Sequence, residues 1–324
     1  NKKEVKKQTK NKHVILQEQP VITTPSLGLR SNYDGSDLIV KFSPLNEDLR
    51  LLKQRQYYAK YRQSLMHQPL WKPTIELSGR IDINASSQYG NPLSTVYKND
   101  IDLTGFELDI LTELNHWIGG LASIGYDNGF DGTDRVGNSR FYLKRGFITY
   151  GNLDHQPYYM TVGQMNIPFG RYSTYMVTSP ATSLLGASKE RALLIGYHDE
   201  NDHSDIHFQS YLAASRWAIR SEQNRLNQWG INGQFIHDFE SKVKGTFGLG
   251  WIHNLAASTH LKSQLDARNP VSSFLSKNVS GLNAHLSLEK GPWKWVSESV
   301  IALRSFDLFD FINQQGGGFF RPTT

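Results

Sequence analysis

Residues 158–197 read YYMTVGQMNIPFGRYSTYMVTSPATSLLGASKERALLIGY. Tyr158 to Ile167 reads as one strand and Arg191 to His198 as the next, with a long connection from Pro168 to Glu190 between them. That connection contains Pro168, Gly170, Pro180 and Gly186, the residue types that interrupt regular structure. It is long enough to fold back across whatever the two strands enclose. A soluble sandwich and a barrel both contain strand pairs of this kind, so the connections on either side decide between them.

Working outward, the period of two begins at Thr74: Ile75, Leu77, Gly79, Ile81 and Ile83 alternate with Glu76, Ser78, Arg80, Asp82 and Asn84. Further strands follow at 101–114, 117–126, 140–151, 157–167, 191–198, 205–215, 227–239, 242–253, 278–289 and 293–304, eleven in all. The connections alternate strictly, long at 88–100, 127–139, 168–190, 216–226 and 254–277 and short at the positions between. An up-and-down barrel in an outer membrane, with long external loops and tight turns on the other side, produces this alternation. The sequence therefore predicts an all-β fold, a transmembrane antiparallel up-and-down β-barrel preceded by a short N-terminal helix. Tyr and Trp gather near strand ends, at Trp117, Tyr126, Tyr150, Tyr158, Tyr197, Trp229, Trp251, Trp293 and Trp295, where interfacial girdles would place them. One strand breaks the pattern: Lys144 and Arg145 are adjacent and cannot both face inward from a regular strand, so a bulge or a headgroup-level position is expected. Eleven is also an odd number, which predicts further strands and a complete barrel of about 14 to 16 or more.

Composition agrees with this reading. Mean hydropathy is −0.48 and no run of 18 apolar, uncharged residues occurs, which excludes a helical membrane protein but not a barrel. There is no cysteine, hence no disulfide, thiolate metal site or cysteine nucleophile. The net charge of +5 is scattered except in residues 1–12, which hold six lysines and one glutamate and read as a solvated tail. The division expected is 1–72, a basic tail, linker and short periplasmic helix, and 73–324, the barrel, incomplete at its C-terminal end. Ser43 as N-cap, Pro44 at the first helical position and Glu47 and Asp48 in the first turn predict a helix running to about Leu65, with Leu45, Leu49 and Leu52 on one side. It suits either a helix resting on the body or a plug or partner-binding element, for instance toward a periplasmic partner.

Candidate functional residues follow from the barrel. Arg171, Lys189 and Arg191 would supply positive charge at a constriction, with Tyr172 and Tyr175 as flat hydrogen-bonding surfaces, and Arg80, Lys242 and Lys244 would add inward cations. The loop equally suits a solvated connector that touches no solute. Opposed walls, acidic along the Glu107 strand and basic along the Lys242 strand, would orient a dipolar solute. Seven imidazole or carboxylate side chains fall within His198–His207, and His198, Asp199, Asp202, His203 and His207 are the metal-ligand candidates, although a polar tight turn is expected there in any case. No GxSxG, HExxH or Walker motif occurs, so no enzyme is expected, and no basic, aromatic-interleaved surface points to nucleic acid.

The segments DLIVKFSPLNEDLRLLKQRQ, PTIELSGRIDINAS and, most specifically, VGQMNIPFGRYST followed by MVTSPATSLLGASKERALLIGY resemble the LbtU-family siderophore porins of Gram-negative outer membranes. The VGQMNIPFG pattern is more loosely similar to phosphate- and carboxylate-selective porins. The resemblance implies a barrel in the outer membrane, in contact with its lipids, that imports iron as a ferric siderophore or carries another small anionic solute, with no resident cofactor. It carries over no ligand-binding residues.

Overall fold

The computed structural model describes residues 46–66, 73–88, 98–127, 139–172, 180–215, 218–219, 226–239, 243–268, 274–307 and 319–320. Helix α1 (Glu47–Met66) leads into strands β1 (Thr74–Gln88), β2 (Lys98–Glu113), β3 (Ile118–Asp127), β4 (Arg140–Gly151) and β5 (Tyr158–Asn166). A short helix α2 (Ala181–Gly186) lies in the next connection, before β6 (Lys189–Glu200), β7 (Ser204–Ala214), β8 (Leu226–Phe239) and β9 (Val243–Ile252). Helix α3 (Thr259–Arg268), β10 (Gly281–Lys290) and β11 (Trp293–Ala302) complete the main elements. The eleven strands form one antiparallel sheet in which every strand pairs with its neighbours in sequence. The expected all-β meander is therefore present, with strand ends displaced by a few residues at most. Among the described residues β1 and β11 each have one partner strand.

The sheet is curved, and two contacts show how strongly. Helix α1 touches Arg145 on β4, Thr161 on β5, Gln209 on β7 and, through the preceding Asn46, Gln234 on β8. Strands lie about 4.8 Å apart and a helix is only about 10–12 Å wide. Strands so far apart in the sheet reach one helix turn only if the sheet wraps around it. The second contact is the loop after β5: Arg171 N lies 2.6 Å from the Glu298 carboxylate on β11, six strands away. A flat sheet would place those strands about 29 Å apart, beyond the reach of the five residue steps from Asn166 to Arg171 at about 3.5 Å each.

Polarity is inverted relative to a water-soluble core. On the inner, concave face the buried side chains include Glu107, Asp109, Ser123, Arg145, Thr161, His198, His207, Gln209, Asn232, Asn283 and His285. On the outer face the alternating positions are apolar and exposed: Ile75, Leu77, Ile81 and Ile83 on β1, Met160 and Val162 on β5, Leu193 and Ile195 on β6, Ile231 and Phe235 on β8, Phe247 and Leu249 on β9. Period-two alternation puts these sets on opposite faces. Aromatic pairs mark both rims of that outer surface. Trp117 stacks on Tyr150 at 5.6 Å and Tyr158 meets Tyr197 at 5.3 Å near the short turns, while Trp229 meets Trp251 at 4.5 Å near the long loops.

Three local features bear on the sequence reading. Among the described residues helix α1 begins at Glu47; the Asn46 carbonyl accepts the first intrahelical bond from Arg50 N at 2.9 Å, and Asn46 adopts φ 51, a conformation that asparagine tolerates. Ser43, Pro44 and Leu45 lie outside the described residues. The bulge expected at Lys144–Arg145 is present: the β3–β4 register shifts between Ser123 and Ile124 and inserts Lys144 as an extra residue, which lets both cations reach the same interior carboxylate. These two cations on β4 cover the acids of the β2 wall, while Lys242 of the expected basic wall lies outside the described residues.

Candidate functional site

Two inserts occupy the concave side, one from each end. The first is helix α1, whose N-terminal turn carries Glu47 and Asp48 into the interior. Arg145 Nη1 pairs with Glu47, and Nη2 bonds Glu107, Asp109 at 3.1 Å and Ser123 Oγ at 3.0 Å. Lys144 adds a 2.7 Å contact to Glu107, and Arg50 stands 3.9 Å from Glu47. Three carboxylates thus meet three cations in a region where Arg145, Glu47, Glu107 and Asp109 are each at most 5% exposed. Asp48 lies beside this group and accepts from Thr161 Oγ1 at 3.1 Å and Gln209 Nε2 at 3.4 Å. With no cation on it, burial pushes the Asp48 carboxyl up to about 6. Gln209 also bonds Tyr159 Oη, which in turn meets His207 Nε2, both at 2.8 Å.

Toward its C-terminal part the helix is tied to the short-turn rim. Arg55 donates to the Gly151 carbonyl at 2.8 Å, Gln56 to Asn152 Oδ1 at 2.9 Å, and Lys60 pairs with Asp154. Leu49, Leu51 and Leu52 supply the apolar part, packing with Leu111, Leu121, Phe147 and Tyr159. Tyr159 lies where a Cβ at Gly196 would stand, and Leu52 approaches Gly151 within 3.5 Å of such a position, so glycines on the wall make room for the insert.

The second insert is the loop after β5. Pro168 and Gly170, the latter at φ 84, turn the chain inward, and Tyr172 follows at φ 55. A side chain at Gly170 would meet the Tyr172 ring at 2.7 Å, so that tight fold requires glycine. Tyr172 Oη closes onto the Phe169 carbonyl, and both rings bury against Ile252, Leu255, Val279 and Val300. Glu298 anchors the loop tip by accepting from Arg171 N at 2.6 Å and Tyr172 N at 2.8 Å, with Asn283 Nδ2 at 2.9 Å and Thr182 Oγ1 at 3.4 Å. The end of the connection is tied to the long connection after β9. Ser188 Oγ donates to Ala257 O at 2.8 Å, Thr259 N to Ala187 O at 2.8 Å, and Lys262 pairs with Glu190 at 3.1 Å.

The predicted constriction residues separate accordingly. Arg171 and Tyr172 are buried in the interior, and Lys189 sits among the charges of Lys144, Arg145, Glu107 and Glu47. Arg191 is a correction: it is exposed on the outer face, because the strand alternation buries Glu190 and Ala192 on either side of it. Lys244 is half-buried near the short-turn end of β9. The Arg80 backbone pairs with Glu107 in register, while its side chain, Tyr175 and Lys242 lie outside the described residues.

The five metal candidates are not brought together. Asp199, Asp202 and His203 are exposed, while His198 and His207 are buried with their rings 6.1 Å apart. His207 is instead engaged by Tyr159. A different trio converges: the ligand atoms of His198, Glu200 and Asp205 lie within 4.8 Å of one another. Lys53 of helix α1 already supplies the positive charge there, 3.0 Å from Glu200 and 2.9 Å from Asp205.

Sequence reasoning passed over Arg145, Glu298 and Lys53 as site residues. The adjacent Lys144–Arg145 pair was the available signal for the first. Glu298 carries none, since its partners lie 126 and 127 residues away.

The chain is similar to UPF0422 proteins. It is 36% identical over 248 residues to one from Legionella pneumophila strain Lens, an alignment covering 75% of this chain and 45% of that protein. It is 30% identical over 299 residues to one from Coxiella burnetii, covering 92% and 62%. A UPF0422 protein of Legionella pneumophila strain Paris matches at 36% over 248 residues with the same shares as the Lens protein. The chain thus spans between about half and three fifths of the length of the curated relatives it matches. No family model matches it.

Proposed function

We propose that this chain is an outer-membrane β-barrel that imports an anionic solute, a ferric siderophore, through an interior narrowed by the loop after β5 and by helix α1. The observation that carries the reading is the inversion of polarity along the sheet, with charged and amide side chains enclosed and Ile, Leu, Val and Phe displayed outward. Burying one such side chain is worth roughly 1.5–3 kcal/mol, so a band of this extent is stable against lipid and costly against water. The aromatic pairs at its rims fit the two headgroup levels.

Both inserts favour selective passage over a general anion porin, because each fills interior space and is bonded to the wall by charged groups. Arg171 and Lys189 remain the cations nearest a solute entering from the long-loop side. The resemblance to LbtU-family porins supplies the ferric chelate, which rests on that likeness alone. Uptake of labelled ferric siderophore by cells with and without the gene tests the cargo, and equal uptake refutes it. Conductance of the purified protein in planar bilayers tests passage itself: R171Q with K189Q lowers anion preference, and an unmoved reversal potential refutes the constriction.

A further inference from the structure

The interior wall opposite Arg145 has a chemistry of its own. Gln209, Asn232, Gly250 and Asn283 occupy neighbouring positions in register on β7, β8, β9 and β10, and Gln234, Gly248 and His285 form the next row. The two glycines make room for what packs on them, Gly248 for His285 and Gly250 for Phe169 and Gly170 of the loop after β5. A Cβ at Gly248 would overlap the His285 imidazole, and one at Gly250 would stand 3.1 Å from Asn232 Oδ1. Tyr211, Gln209, Asn232, Asn283 and His285 are all at least nine-tenths buried. Yet Tyr211 Oη, Gln209 Oε1, Asn232 Oδ1, Asn283 Oδ1 and both His285 ring nitrogens have no hydrogen-bond partner among the described residues. Buried polar atoms are nearly always paired, so a group of this size on one face points to a partner beyond the described residues.

The orientation of two of these amides follows from the carboxylates they bond. Asn283 turns its NH2 to Glu298 on β11 and Gln209 turns its NH2 to Asp48 on helix α1, which leaves both carbonyl oxygens as acceptors with no partner among the described residues. The wall therefore offers mainly acceptors, together with one imidazole and one phenol that can do either. The partner is rich in hydrogen-bond donors. A metal or ammonium ion would also satisfy carbonyl oxygens, but the Arg171 guanidinium acts on His285 at the same place and repels it. Hydroxyl groups satisfy both conditions. Asn232 and Asn283 flank Gly250 and so stand about 10 Å apart, with Phe169 and Gly170 of the loop after β5 lying over the glycine between them.

We propose that Gln209, Tyr211, Asn232, Asn283 and His285 form a binding site for the hydroxyl groups of a polyhydroxylated solute, which rests on reading the interior as a solute path. The test is equilibrium dialysis of labelled raffinose against the detergent-solubilised full chain, with a polyethylene glycol of equal mass, which offers ether acceptors in place of hydroxyls, as competitor. Saturable raffinose binding that the glycol does not displace supports the site. N232L combined with H285L then weakens binding about 10-fold or more, whereas H285Q, which keeps a donor and an acceptor, retains it; heat-shifted electrophoretic mobility confirms that both variants fold. Absence of saturable raffinose binding, or equal displacement by the glycol, overturns the site. Planar-bilayer current from the same preparation reports passage separately: current without raffinose binding overturns the site alone, and raffinose binding without current supports the site while overturning passage.

Discussion

Replacing Arg145 by methionine removes the one cation that touches three buried acids at once. In the native interior Glu47, Glu107 and Asp109 are balanced by Arg145, Lys144 and Arg50. R145M leaves an uncompensated charge in a region sealed from water, a loss of about 3–5 kcal/mol for a broken buried pair. Glu107 and Asp109 are fixed on β2 and retain Lys144, whereas Glu47 belongs to helix α1 and regains water if the helix undocks. The cost therefore falls on docking, raising the undocked population by about two to four orders of magnitude. Lys53 and Arg55 are trypsin sites shielded in the docked helix, at 14% and 6% exposure, so cleavage there reads the undocked fraction when reclosing is fast. R145M accelerates that cleavage by about 100-fold or more, while the heat-shifted mobility of the sheet persists. E47Q combined with R145M costs less than the two singles together, by about 1–3 kcal/mol. Cleavage of R145M within twofold of the unaltered protein, or strict additivity in the double variant, refutes the idea that this network holds the helix.

Asp48 gives helix docking a pH dependence: its carboxyl is raised from 3.8 to about 6 in the folded state, so the docked form holds a proton that the free form has lost between those values. Docking weakens as pH rises from about 4 to 6 and is level above, by roughly 3 kcal/mol in all; D48N flattens the tryptic profile over that window, and an unchanged profile contradicts the assignment. Gly163 adopts φ 143, and a Cβ there would overlap the Gly146 carbonyl and lie 2.5 Å from Phe147 Cα on β4. G163A should cost about 3 kcal/mol or more, and a urea midpoint in micelles equal to that of the unaltered protein would contradict it. Lys53 occupies the charge position of the His198, Glu200 and Asp205 trio, so K53Q gains saturable Zn2+ binding by calorimetry where the unaltered chain has none; equal binding by both shows that the lysine does not compete.

Strand order and faces were legible because each carries a periodic or punctuating signal. Ile75 to Ile83 alternate without a break, and the short connections hold obvious turn residues, so all eleven strands of the sheet can be placed from the sequence. Parity was legible only where a strand start was placed correctly. Taking Arg191 as a first residue hid that Lys189 and Glu190 already belong to the strand and that Glu190 takes the inner position. The occupants of the interior were not legible for a different reason. Helix α1 is polar along most of its length, since it docks on a polar wall, and apolar periodicity cannot report a surface recognised through ion pairs. Its docking residues, Glu47, Lys53 and Lys60, look like those of any solvated helix until Arg145, Asp205 and Asp154 stand opposite them.

Charge placement separates the interior into two kinds of wall. From β2 to β7 nearly every inward carboxylate meets a cation supplied by the helix or by β4, so that side is electrically closed and grips the insert. From β8 to β10 the inward side chains are mostly amides, hydroxyls, an imidazole and glycines, with Ile252 at the long-loop end and Lys244 at the short-turn end, and the carboxylate that follows on β11, Glu298, is consumed by the loop tip. If the interior is a solute path, a solute passing the loop would find the first wall occupied and the second wall holding acceptors with no partner among the described residues. If the helix moves, it uncovers the charged wall; if it stays, the route left to a solute runs along β8 to β10. The trypsin and conductance measurements together decide between these routes. Conductance that rises in step with helix cleavage in R145M assigns the helix as the gate, and conductance that ignores it assigns passage to the amide wall.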